Sequence, residues 1–75
     1  MNIRIFGPLE DVTGSSSIML ENIRDTGELR DRLFEVYPGL QGRKFVVAVN
    51  NRIVQGHLEL NEGHEVALLP PFSGG

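Results

Sequence analysis

The sequence predicts an α+β domain of two layers, in which one amphipathic helix covers one face of a sheet of four to five short strands. Three observations carry this. Short segments with the two-residue alternation of half-buried strands lie in both halves of the chain, and a single stretch after residue 25 has the 3.6-residue period of a helix. Clusters of Gly, Pro and Asn separate these segments. The order is ββαββ with a short final strand added. A single apolar helix stripe can bury itself against only one sheet face, which leaves the other face in water.

The first strand is predicted at residues 2–6, where Ile3 and Ile5 alternate with Asn2 and Arg4 until Gly7 and Pro8 break the pattern. A soft loop follows, and a second strand over 17–21 places Ile18 and Leu20 on one face and Met19 on the other, completing an N-terminal hairpin. Asp25 with Glu28 three residues on forms a capping box that opens the only predicted helix, residues 26–37. Its stripe is Leu29, Leu33, Val36 and Tyr37; Glu28 and Arg32 are spaced as an i,i+4 ion pair on the outer side. Pro38 and Gly39 stop the helix.

The continuous β-branched run at 45–49 has the pattern of a strand covered on both sides or central in the sheet. Asn50 and Asn51, which tolerate positive φ, predict a two-residue hairpin into a strand at 52–54. Asn61, Glu62 and Gly63 make another turn, and residues 65–69 form the last strand before Pro70 and Pro71 halt it. The chain thus divides into a domain at 1–69 and an extended tail at 70–75.

Composition narrows the function. The 75 residues suffice for one small domain whose core is too shallow to enclose a substrate, so an active site is expected to be shared with another protein. With no cysteine, disulfides, thiolate nucleophiles and cysteine-based metal sites are excluded, and the cytoplasm is the expected compartment. The start of the chain lacks the apolar run of a signal peptide, and no stretch has the length of a membrane span. A net charge of −3 with scattered basic residues argues against nucleic acid as a partner. His57 and His64 are too far apart for a metal pair. The acidic groups Glu10 with Asp11 and Glu62 with Glu65 have no apolar enclosure to tune them as acid and base.

The remaining chemistry lies at the end, Pro70-Pro71-Phe72-Ser73-Gly74-Gly75. None of these side chains is a catalyst. Two prolines impose an extended path, and two glycines remove every Cβ from the terminus, so the end is thin enough to enter a narrow site. That suits a terminal carboxylate brought against the α-phosphate of ATP by an enclosing enzyme. A Gly-Gly ending alone is a weak motif, because chain termini commonly fray and glycine is a common residue; joined to this fold it points to Gly75 as the reacting group.

Nearly the whole chain resembles the ubiquitin-like sulfur carriers, and within them the small subunits of molybdopterin synthase. The resemblance rests on LRDRLFEVYPGL at residues 29–40, the Val47-Ala48-Val49-Asn50 strand and turn, Glu62-Gly63 with Glu65-Val66-Ala67, and above all the ending Leu69-Pro70-Pro71-Phe72-Ser73-Gly74-Gly75. It implies a β-grasp fold with a mixed sheet. It implies also that an enzyme resembling ubiquitin-activating enzymes uses ATP to adenylate Gly75, after which a sulfur donor protein converts the terminus to a thiocarboxylate. The large synthase subunit would then receive Pro71, Phe72, Ser73 and Gly74 in its active site, where sulfur passes to cyclic pyranopterin monophosphate. A heterotetramer is expected, with no cofactor bound to this chain and no catalysis by this chain alone. Phe72, beyond the sheet and after two prolines, is expected to bury its ring against that partner, the alternative being packing back onto this domain.

His64 departs from the acidic residue frequent in the family, and no chemistry is assigned to it. Two other fates use the same Gly75: sulfur delivery for the thiazole of thiamin, whose carriers typically lack the two prolines and aromatic residue, and isopeptide attachment to target lysines. A plain interaction domain would not need Gly74 and Gly75 at all. The uncovered sheet face is the expected docking surface, though alternation alone does not say which residues lie on it.

Overall fold

The computed structural model describes residues 1–71. The elements run β1 Asn2–Ile5, α1 Leu9–Thr13, β2 Ser17–Met19, α2 Thr26–Val36, a 3-10 segment at Pro38–Gly42, β3 Val46–Val49, β4 Arg52–Val54 and β5 Val66–Leu69. The five strands form one mixed sheet in the order β2-β1-β5-β3-β4. β5 is central, parallel to β1 (Ile3↔Val66, Ile5↔Leu68) and antiparallel to β3 (Val46↔Leu69, Val49↔Val66). Of the four pairings in the sheet, three are antiparallel.

The core lies between one sheet face and α2. Ile3, Ile5, Ile18, Val47, Val49, Val66 and Leu68 point into it and meet Leu29 and Leu33 of α2, both 0% exposed. Asp25 caps α2 as its side chain accepts from the Glu28 N–H at 2.8 Å. The apolar run at 45–49 forms an interior strand with Val47, Ala48 and Val49 buried. Asn50 and Asn51 have φ of 51° and 66° and join β3 to β4 across Val49↔Arg52, the two-residue hairpin expected from their types. Met19 is exposed while Ile18 and Leu20 are buried, as their alternation predicts.

Three expectations are corrected. The stretch after Pro8 is a short helix, α1, instead of a soft loop, so α2 is not the only helix. Leu9 is buried and Val12 packs on the core, while Gly14 at φ 76° ends the turn with its N–H on the Glu10 carbonyl at 2.7 Å. Burial of Leu9 therefore stabilises a helix too short to form on its own.

Val36 also drops out of the predicted α2 stripe, whereas Tyr37, just beyond the helix, is half-buried and packs on the core. Val36 is 48% exposed, because the chain leaves helical geometry at Tyr37 and folds back through the 3-10 segment, which delivers the fully buried Leu40 to the core instead. Phe34 packs edge-on against Phe45 with ring centroids 6.0 Å apart.

Glu28, finally, does not pair with Arg32. It turns toward the helix start, accepting from the Arg24 N–H at 2.8 Å and lying 3.5 Å from Arg24 Nε, while Arg32 reaches the Glu21 carbonyl at 3.3 Å. Accepting from an otherwise unpaired backbone N–H near the positive end of the helix suits a carboxylate better than an exposed ion pair.

Candidate functional site

Of the tail residues singled out by sequence, Phe72, Ser73, Gly74 and Gly75 lie outside the described residues. Pro71 is the last described residue and is exposed. What the structure places is the root of that tail and the sheet face around it. β5 is paired into the sheet on both sides up to Leu68 and with β3 as far as Leu69, and Pro70 then removes a backbone donor. The tail thus begins from the middle of the sheet, on its best-held strand.

The face of the sheet turned away from α2 carries the alternate side chains. Cross-strand register lines up Ser17, Arg4, Ala67, Ala48 and Ile53 in one row across all five strands. Val46 pairs with Leu69 in the next row toward the tail, and Phe6, whose N–H donates to the Leu68 carbonyl at 3.1 Å, stands on the other side of Leu69. Apolar groups from three strands therefore gather where the chain leaves the sheet. Arg4 lies over the Phe6 ring at 5.1 Å, placing a cation beside this apolar cluster. Small side chains at Ala48 and Ala67 leave a shallow hollow of about 60 Å³ bordered by Arg4, Phe6, Asn51 and Glu65. Enclosed small-molecule sites run to several hundred Å³, so this face suits the surface of another protein better than a small substrate.

The alternation of Asn2, Arg4 and Phe6 and of Ala67 and Leu69 already separates these residues from their inward neighbours in the sequence. Which set would be covered depends on where α2 packs, and that is a tertiary fact.

Elsewhere the polar groups serve the fold. His64 Nδ1 accepts from the Asn61 N–H at 3.1 Å and Asn61 Oδ1 accepts from the Gly63 N–H at 2.8 Å, so both close the turn before β5. His57 is exposed, as are Glu10, Asp11, Glu62 and Glu65. Among the described residues, no group of three or more His, Asp or Glu side chains is placed to hold a metal ion, and no helix is long and apolar enough to cross a membrane.

Comparison with known proteins shows one family and one fold, shared by sulfur carriers and by a protein modifier. A family model described as the ThiS family matches residues 3–75. The molybdopterin synthase sulfur carrier subunit of Mycobacterium tuberculosis is 32% identical over 80 residues, an alignment that takes in 100% of this chain and 96% of the relative. Among solved structures, a chain of the complex of subunits 1 and 2 of molybdopterin-converting factor from Helicobacter pylori superposes with a TM-score of 0.72 at 29% identity, covering 99% of this chain and 96% of that one. Small archaeal modifier protein 1 of H. volcanii shares the fold, with a TM-score of 0.75 at 22% identity over 95% of each chain.

Proposed function

The chain belongs to the ThiS family, and from that membership we propose that it is the sulfur-carrying subunit of a molybdopterin synthase. The observation that carries this reading is the full-length similarity, at 32% identity, to a molybdopterin synthase sulfur carrier subunit. The ending Pro70-Pro71-Phe72-Ser73-Gly74-Gly75 supplies the group such a carrier needs.

In this reading the Gly75 carboxylate attacks the α-phosphate of ATP on an activating enzyme and pyrophosphate leaves; sulfide-level sulfur (HS−) delivered by a donor protein then attacks the acyl carbon, and a C–S bond replaces the C–O bond to AMP, which leaves. The product is a thiocarboxylate, an anionic sulfur nucleophile that a chain without cysteine cannot otherwise offer. A large subunit receives the tail and accepts the sulfur onto cyclic pyranopterin monophosphate. The similarity to one chain of a two-subunit molybdopterin-converting factor supports a large subunit as partner. The open sheet face of Phe6, Val46, Ala48, Ala67 and Leu69 is the docking surface that brings the tail to it. Gly74, lacking Cβ, lets the terminus pass between close walls. Phe72 anchors the tail through its ring.

The test is the intact mass of the chain after incubation with an activating enzyme, ATP and a sulfur source, beside a variant lacking Gly75. One oxygen-to-sulfur exchange is expected in the full chain and none in the variant. Adding the large subunit and cyclic pyranopterin monophosphate should then discharge the sulfur. Loss of the exchange, with an enzyme proven active on another carrier, overturns the proposal. Covalent ladders on target lysines would assign Gly75 to protein modification instead, and discharge only to a thiazole synthase would assign it to thiamin synthesis.

A further inference from the structure

We propose that Gly7 is a positioning residue for the C-terminal tail: by leaving room for the Pro70 ring it sets the direction in which the chain leaves the sheet. The proposal rests on the carrier reading above, because it concerns how Gly75 is presented.

The placement follows from the parallel pairing of β1 with β5. Ile5 is opposite Leu68, so two residues farther along each strand Gly7 comes beside Pro70. The Phe6 N–H to Leu68 carbonyl bond carries the ladder one step past β1. There both strands are ended by their own residue types, β5 by a proline without an N–H and β1 by a glycine at φ +62° whose carbonyl accepts from the Glu10 N–H at 3.0 Å and opens α1. A Cβ added to Gly7 would stand 3.2 Å from Pro70 Cγ and 3.5 Å from Pro70 Cδ. The first is tighter than ordinary van der Waals contact. A long side chain would swing aside, but the proline ring is closed on its own backbone: apart from a change of pucker at Cγ, it yields by moving the root of the tail.

Backbone conformation alone does not account for this contact. Gly14 is also left-handed, at φ +76°, and nothing lies within 4 Å of a Cβ built there. Gly14→Ala therefore carries the cost of the left-handed backbone without a collision, and Gly7→Ala carries both. Gly7→Asn brings the same Cβ with a residue that tolerates positive φ better, which provides a second variant should Gly7→Ala fail to fold.

The experiment compares the wild-type chain, Gly7→Ala, Gly7→Asn, Gly14→Ala, Pro70→Ala and Gly7→Ala/Pro70→Ala as substrates of the activating enzyme, each shown to be folded by thermal unfolding and amide NMR spectra. Expected is a fall in kcat/KM of about tenfold for both Gly7 variants beyond that of Gly14→Ala. The loss should sit in kcat more than KM, since the open sheet face is unchanged. Pro70→Ala should recover most of the rate in the Gly7→Ala background, and the amide signals of Phe72 and Ser73 should shift in the Gly7 variants and not in Gly14→Ala. Gly7 variants that fall no further than Gly14→Ala, or a double variant that recovers nothing, would overturn the inference while leaving the carrier reading intact. A wild-type chain that is never activated overturns the carrier reading, and the inference with it.

Discussion

Thr26 Oγ1 joins the first turn of α2 to the chain before β5: it donates to the Gly56 carbonyl at 3.2 Å and accepts from the Leu58 N–H at 3.1 Å. The Thr26 N–H also donates to the Leu58 carbonyl at 2.9 Å, and the residue is only 3% exposed. Thr26→Val keeps the shape and strands both backbone partners, so a loss of about 1–3 kcal/mol is expected. In a domain of this size that lowers Tm by about 4–8 °C per kcal/mol. Thr26→Ser should retain most of the stability. A Val variant that melts with the wild type would mean the bonds are replaced by water at no cost.

Two positions of the predicted α2 stripe should respond very differently. Leu33 is 0% exposed, and Leu33→Ala is expected to cost about 2–5 kcal/mol, a large part of the stability of a small domain. Val36 is 48% exposed, and Val36→Ala should stay within about 0.5 kcal/mol. Urea unfolding of both variants checks this; equal losses would place Val36 in the core after all.

At the β3–β4 hairpin, Asn51 has φ 66° and no β-branched residue fits there without strain. Asn51→Val is expected to lose about 1–2 kcal/mol, whereas Asn51→Gly should hold or slightly raise Tm. Thermal melts followed by circular dichroism distinguish the two, and a Val variant as stable as the Gly variant would contradict the left-handed turn.

On the open face, Ala67 sits in the middle of the row formed with Arg4 and Ala48, half-buried and away from α2. Ala67→Glu should leave the core intact but place a charge in the centre of the proposed docking surface. Affinity for the large subunit, measured by calorimetry, is expected to fall at least about tenfold, as when the centre of an interface is disrupted. Unchanged affinity with an unchanged fold would move the docking surface elsewhere.

Much of this was legible before any coordinates. The Asp25 cap, the Asn50-Asn51 turn and the apolar run at 45–49 are local signals, each set by residues within a few positions of one another. Glu28 shows where local reading stops: i,i+4 spacing toward Arg32 and i,i−4 spacing toward Arg24 are equally good on paper. The choice fell to Arg24 because its backbone N–H, at the helix start, also needed an acceptor. The short helix α1 has no adequate local signal, since five residues gain helical structure only when Leu9 finds a core to enter.

The sequence by itself determined an α+β layout with one main helix and the segments that form its strands, to within a residue or two at their ends. Only the tertiary structure decided that β5 runs parallel to β1 in the centre of the sheet, that Arg4, Phe6, Ala48, Ala67 and Leu69 form the uncovered face, and that Gly7 stands against Pro70. The physical reason is range. Caps, turns and alternation are settled by neighbours along the chain, whereas strand partners and the covered face are settled by which arrangement buries Leu29 and Leu33 best, across separations that no local pattern encodes.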